Sequence, residues 1–172
     1  MKRFILTAFA TLDFVGAAHA HVVLLDKEAE AGAYFRVTLQ VGHGCQGEAT
    51  TALEVAIPAG IAVARPMPKT GWQIEIEEGD FDKPAMVHGK PVTRGVKRLR
   101  WVGGQLPDAW YDEFVMQVKL PDEAGTLAFP VVQRCGELHA DWVELPQEGK
   151  SAAYPAPLLS VRAKAGGAHA GH

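Results

Sequence analysis

The chain has 172 residues, 48% of them hydrophobic and 22% charged, which is the profile of one compact globular domain. Its formal net charge is −3, so no basic surface is expected that could hold DNA or RNA. Outside the N-terminal region, no apolar run reaches the roughly 18–20 residues of a membrane-spanning helix. We therefore expect no nucleic-acid partner and no membrane span after processing.

Residues 1–20 have the pattern of a secretory signal peptide. Residues 1–3 are positively charged at two positions, residues 4–17 are mostly apolar although Asp13 interrupts them, and small residues stand at Ala18 and Ala20. Cleavage after Ala20 would export the protein to the periplasm with a histidine as its first residue. Cleavage after Ala18 also satisfies the small-residue rule and is the alternative.

Short segments that alternate apolar and polar residues follow, separated by turn signals rich in glycine and proline. They predict an all-β fold, an antiparallel β-sandwich over residues 21–162. The segments are 35–41, 53–57, 72–76, 99–101, 114–120 and 127–131, and the turn signals are 58–60, 79–80, 103–104 and 121–125. The tail, residues 163–172, has nothing to bury, so we expect it to be mobile. Its His169 and His172 could contact a metal in an accessory role.

Both cysteines, Cys45 and Cys135, lie in the exported part of the chain. An even number of cysteines in an oxidising compartment favours a disulfide. The alternative is a thiolate ligand in a blue-copper site, which also needs two histidines and usually a methionine. His139 follows Cys135, but no methionine occurs after Met116, so the disulfide is the preferred interpretation.

His21 would be the first residue of the processed chain. Its α-amine nitrogen and imidazole Nδ1 can close a six-membered chelate ring on a metal, and copper(II) has the highest affinity among divalent metals for such donors. Because both nitrogens must be deprotonated, binding should weaken as the pH falls. The alternative cleavage after Ala18 would expose His19-Ala20-His21, which is also a strong copper(II) or nickel(II) chelator.

The order of motifs along nearly the whole exported chain resembles the YcnI-like family of bacterial copper-binding proteins. The individual motifs are weak, but their order is specific. They are His21-Val22-Val23, Gly32 before the segment 35–41, residues 50–61 ending in Pro-Ala-Gly-Ile, residues 66–72, residues 101–107, Asp112-Glu113-Phe114, Leu120-Pro121, Phe129-Pro130 with Gln133, and Trp142.

The resemblance implies a cupredoxin-like or immunoglobulin-like β-sandwich that binds one copper(II) at an exposed site. His21 would supply its amine and imidazole, an arrangement called a single-histidine brace. An acidic residue would complete the site, and we assign this role to Glu113, with Asp112 and Glu137 as the next candidates. Trp142 would lie beside the metal and shield one side of it from water.

Other histidines and aromatic residues have less direct interpretations. His43 could add a second imidazole, although a turn histidine near a disulfide is preferred, and His139 is the reserve ligand. Trp72 and Trp101 fall on apolar faces and are expected in the core. For residues 110–111, Trp-Tyr, we also expect packing rather than a site role.

These observations predict a periplasmic copper(II)-binding protein that buffers copper or passes it to a partner protein, and not an enzyme. One alternative is a copper-dependent monooxygenase, which would also begin with a metal-binding histidine but needs a second histidine and a flat aromatic surface. Another is a structural β-sandwich that binds protein partners. Stoichiometric copper uptake by the processed protein would argue against the structural alternative.

Overall fold

The computed structural model describes residues 21–147 and 149–164. The predicted signal peptide, and the tail from residue 165 with His169 and His172, lie outside this part of the chain. The described residues form strands, turns and loops, with no helix among them. A search of the same residues for a helix able to cross a membrane finds none.

Twelve strands are found in the described part of the chain. They are β1 (Val23–Leu24), β2 (Glu28–Glu30), β3 (Tyr34–Val41), β4 (Thr50–Ala56), β5 (Val63–Pro66), β6 (Gln73–Val87), β7 (Lys90–Leu106), β8 (Asp112–Lys119), β9 (Gly125–Ala128), β10 (Val131–Cys135), β11 (Leu138–Trp142) and β12 (Leu158–Arg162).

The strands form a four-stranded sheet in the order β1-β3-β8-β5, a five-stranded sheet in the order β11-β10-β4-β7-β6, and a three-stranded sheet in the order β2-β12-β9. Among the described residues, the pairings between these strands are antiparallel except that of β12 with β2, which is parallel. The predicted all-β sandwich is confirmed. The alternating segments that begin at residues 35, 53, 72, 99 and 114 all correspond to strands.

Alternation places one set of side chains from each strand in a common core, because successive residues of a strand point to opposite faces. Leu39 of β3, Leu53 of β4 and Trp101 of β7 are all fully buried. Phe114 of β8 packs edge-to-face on Trp101, with ring centroids 5.6 Å apart, and on Trp72, with centroids 4.9 Å apart. The expectation that Trp101 belongs to the core is therefore confirmed, while Trp72 is partly buried and packs against the core.

Two expected turns are wrong, because residues 79–80 and 103–104 lie inside the long β6–β7 hairpin. Gly103 has a φ of 77°, next to a register shift between β4 and β7, which is typical of a β-bulge. A Cβ atom on Gly104 would lie 2.0 Å from the Trp72 ring. The glycines therefore let the strand bend and let an aromatic ring pack on its backbone, rather than ending it.

The predicted segment 127–131 is two strands in the structure. β9 belongs to the three-stranded sheet and β10 to the five-stranded sheet, and Phe129-Pro130 connects them. Proline has no backbone N–H to donate to a sheet, so the strand is interrupted there. The chain changes sheets at this point and begins the strand that leads to Cys135.

Candidate metal centre

His21 lies at one end of the sandwich, two residues before the first paired residue of β1. Val23 of β1 pairs with Gln40 of β3, which makes β1 the edge strand of the four-stranded sheet. The half-buried His21 ring lies 5.5 Å from the ring of Trp142, at an interplanar angle of 62°. Trp142 ends β11, the edge strand of the five-stranded sheet. The contact therefore joins the edges of the two sheets.

Trp142 is buried and is fixed by ring contacts and by a hydrogen bond. Only 3% of it is exposed, and its ring also packs against Tyr154, with centroids 5.2 Å apart. Its indole Nε1 donates a hydrogen bond of 3.1 Å to Gln133 Oε1. The structure thus brings together the two residues, His21 and Trp142, that were expected to share a site.

Gln133 is a buried polar residue that the sequence analysis noted only as part of a motif. It is 1% exposed, and its Nε2 donates hydrogen bonds of 2.7 Å to the carbonyl oxygen of His43 and to Thr50 Oγ1. The sequence pattern of β10 could have indicated that Gln133 is a buried polar residue. Gln133 stands between Val131 and Cys135 on the inward face of β10, where an apolar residue is expected.

Cys45 and Cys135 form a disulfide in the structure, as the preferred interpretation predicts. Because both sulfurs take part in this bond, neither remains as a thiolate ligand for a blue-copper site, and both cysteines are buried. The Cys45 sulfur lies 3.9 Å from the Gln133 carbonyl oxygen, and the Cys135 sulfur lies 3.9 Å from Thr50 Oγ1. The disulfide therefore lies directly beside the hydrogen bonds of Gln133.

Glu113, the expected acidic ligand, lies in β8 opposite Gln40 of β3. Its carboxylate accepts a hydrogen bond from Tyr111 and one of 3.2 Å from Gln40 Nε2. The Tyr111 hydrogen bond, followed by that from Gln40, lowers the pKa of Glu113 from its ordinary value. The same bond to Glu113 raises the pKa of the Tyr111 phenol. Glu113 is therefore ionised at neutral pH.

The sheet places Glu113 and His21 at the same end but not on neighbouring strands. Because β3 lies between β1 and β8, and adjacent strands are about 4.8 Å apart, Val23 and Glu113, which both pair with Gln40, are separated by roughly 10 Å. His21 lies two residues before Val23. Among residues 21–147 and 149–164, no three His, Cys, Asp or Glu side chains form a group that could hold a metal ion.

The two reserve acidic candidates have other surroundings. The Asp112 carboxylate forms an ion pair of 2.6 Å with Lys69, which also donates a hydrogen bond of 3.0 Å to the Glu113 carbonyl oxygen. Glu137 is exposed in the turn between β10 and β11. Glu113 therefore remains the better acidic candidate at this end of the sheet.

The reserve histidines lie in different parts of the fold. His43 is half-buried and precedes the disulfide, and Gln133 binds its backbone carbonyl. His139 is exposed on β11, and its Nε2 lies 3.7 Å from Asp141. Because His139 and Trp142 are three residues apart on one strand, they face opposite sides of the sheet.

The packing expected for residues 110–111 is wrong. Trp110 is 65% exposed and Tyr111 is 57% exposed, in the loop before β8. The Tyr111 hydroxyl accepts a 2.9 Å hydrogen bond from Gln40 and donates to Glu113. Tyr111 therefore belongs to the surroundings of Glu113 rather than to the core.

Comparison with solved structures places the fold in the immunoglobulin-like class. An uncharacterized protein from Nocardia farcinica, whose crystal structure reveals an immunoglobulin-like fold, matches with a TM-score of 0.64 and 25% sequence identity. The match covers 84% of this chain and 99% of that one. The model of the family described as a domain of unknown function, DUF1775, matches residues 21–161, so the chain belongs to this family. A search of curated proteins finds no match.

Proposed function

We propose that the chain is an exported, periplasmic copper(II)-binding protein whose processed N-terminal residue, His21, is the principal ligand. The observation that supports this proposal most directly is the contact between the half-buried His21 ring and the Trp142 ring. The match to the family model begins at the same residue. The motifs shared with YcnI-like proteins support the finer assignment.

The chemistry of His21 fits copper(II) because one residue supplies two nitrogen donors once its amine is free. A ligand set centred on one residue at the edge of a sheet is open to solvent, so a partner protein could displace the ligands one at a time. Copper is then a cargo that the protein buffers or passes on. Trp142 would shield one side of the ion.

Glu113 is the proposed acidic ligand. Its lowered pKa keeps a carboxylate charge available at the same end of the sheet, which would offset the positive charge of the ion. To reach a metal on His21, it would have to exchange its hydrogen bonds with Tyr111 and Gln40. His43 and His139 are the lower-ranked candidates for additional ligands.

The decisive experiment compares the protein that begins at His21 with a variant that keeps Ala20 in front of it. The extra residue converts the amine into an amide, so copper(II) affinity in a competition titration should fall at least about tenfold, which corresponds to 1.4 kcal/mol. His21→Ala should have a similar effect. Equal affinities for the two N-termini would reject the proposal.

His88→Ala is a matched control for nonspecific binding by histidines. His88 lies at the tip of the β6–β7 hairpin, where its ring Nε2 lies 3.2 Å from the Tyr34 hydroxyl. Its removal should leave the copper(II) affinity unchanged. An effect as large as that of His21→Ala would show that the measured binding is not at the N-terminus.

A further inference from the structure

A continuous set of contacts runs from the disulfide to the indole that packs on His21, and Gln133 is its central member. The Gln133 Oε1 accepts from the Trp142 indole, while Nε2 donates to the carbonyl of His43 and to the hydroxyl of Thr50. The backbone carbonyl of the same residue lies against the Cys45 sulfur. Gln133, Thr50, Trp142 and the disulfide are buried, and His43 is half-buried.

We propose that Gln133 is a positioning residue that fixes the Trp142 indole beside His21 and ties it to the segment 43–50 and the disulfide. The consequence for metal binding rests on the proposed copper function. The structural role does not, because it is a property of the metal-free protein.

The amide side chain of Gln133 matches this combination of partners. The indole N–H of Trp142 can only donate and the His43 carbonyl can only accept, so the site needs an acceptor and a donor on one planar group. The partners also fix which way the Gln133 amide points. A carboxylate would lose the donors, and an apolar side chain would leave a buried indole N–H without an acceptor.

The effect on His21 follows from the geometry of Trp142. Its ring lies between His21 and Tyr154, with centroid distances of 5.5 Å and 5.2 Å. Rotating the indole would break its hydrogen bond to Gln133 and change the surface that His21 meets. Gln133 would therefore act on the metal site through Trp142, without contacting the metal.

The first test uses metal-free protein and the Gln133→Met variant, which preserves the length of the side chain but removes both polar groups. We expect the indole N–H of Trp142 to shift in its NMR spectrum and to exchange with solvent about tenfold faster, because it loses its acceptor. The indole N–H of Trp101, which donates to the Met67 carbonyl at 3.3 Å, is the internal control. An unchanged Trp142 resonance and exchange rate would overturn the proposal.

Gln133→Glu provides a second variant should Gln133→Met fail to fold. At a pH where the introduced glutamate is confirmed to be ionised, by carbon NMR of its carboxyl group, the carboxylate can still accept from Trp142 but cannot donate to His43. We expect the Trp142 indole N–H to stay protected while backbone amides of residues 43–50 exchange faster. If the backbone amides of residues 43–50 exchange as slowly in Gln133→Glu as in wild type, the proposed link between Gln133 and this segment is overturned.

The second test measures copper(II) binding to protein that begins at His21, by competition titration and by quenching of Trp142 emission relative to Trp142→Phe. We expect Gln133→Met to weaken binding about tenfold, the lower end of the loss seen when a group that orients a metal site is removed. If wild-type protein binds no copper, the proposed function fails while the NMR result stands. If wild type and Gln133→Met bind and quench identically, the positioning role fails.

Discussion

The five-stranded sheet has two polar regions that differ in burial: a network of neutral hydrogen bonds in the interior and a set of ion pairs on the exposed face. The buried network around Gln133 joins β10, β4 and β11 inside the sandwich, where water cannot replace a lost partner. The charge ladder on the outer face joins β4, β7 and β6, where solvent competes for every group. Its members are Glu54, Glu75, Glu77, Arg98 and Arg100.

The ladder has good geometry but limited energetic importance. Glu54 receives Arg98 at 3.1 Å and Arg100 at 3.2 Å, and the two arginines also pair with Glu77 and Glu75. Exposed ion pairs typically contribute about 0–1 kcal/mol, whereas an orphaned buried polar group costs about 1–3 kcal/mol. Burial, more than the number of polar contacts, should therefore decide which region is sensitive to mutation.

The largest effect is expected from removing the disulfide beside the buried network, by the paired change Cys45→Ser and Cys135→Ser. The bond joins residues 90 apart in sequence, so the chain-entropy model gives a loss of roughly 4–5 kcal/mol in the free energy of unfolding. Denaturant unfolding of oxidised wild type and the double variant measures it. Equal unfolding midpoints would contradict the estimate.

Next in size is Thr50→Val, which keeps the shape of a fully buried side chain but removes the acceptor for Gln133. We expect a loss of about 1–3 kcal/mol in the free energy of unfolding. Thr93→Val, at an exposed position of β7, is the matched control and should change little. If both variants lose the same amount, burial does not distinguish the two regions.

Glu54→Gln should have a smaller effect, because it breaks the centre of the ladder in partial contact with water. We expect a loss of at most about 1 kcal/mol. The difference from wild type should shrink in high salt, since exposed charges are screened. Unfolding at low and high sodium chloride tests this, and a loss exceeding that of Thr50→Val would reverse the comparison.

The smallest effect is expected at Tyr111, whose exposed hydroxyl holds the Glu113 carboxylate. Tyr111→Phe should move the pKa of Glu113 up towards its ordinary value, because the hydrogen bond that lowers it is lost. A lowered carboxyl pKa stabilises the fold above the unfolded-state pKa, and this contribution disappears as the pH falls through the folded-state pKa. The variant should therefore differ from wild type at neutral pH and converge with it in acid.

A carbon NMR titration of the Glu113 carboxyl group measures this shift directly. Tyr154→Phe is a suitable control, because Tyr154 packs on Trp142 rather than on Glu113. The pKa of Glu113 should be the same in the control and in wild type. A Glu113 pKa that does not respond to Tyr111→Phe would remove the tyrosine hydroxyl as its cause.

Local patterns in the sequence predicted much of the fold. Alternation identified β3, β4 and β8, since one buried face requires an apolar residue at every second position. Gly103 was misread as a turn because a glycine in a bulge has the same local signature as a glycine in a turn, and Gly79 was misread although it pairs with Gly95 inside the hairpin. The difference depends on the neighbouring strand and, at Gly104, on the Trp72 ring.

The candidate site was only partly predictable for a related reason. His21 and Trp142 were selected from the sequence, and the structure brings their rings together. Gln133 was not recognised as their support, because two of its partners, His43 and Thr50, come from a distant part of the chain. The separation of Glu113 from His21 likewise depends on β3 lying between β1 and β8.

The sequence alone determined the all-β class, the preferred cysteine pair and the position of a histidine at the start of the domain, because each depends on residue type and local spacing. Only the tertiary structure decided which strand edges meet, and therefore that an imidazole lies on a buried indole supported by Gln133. The physical reason is that alternation specifies which face of a strand is buried, but not which strand lies beside it.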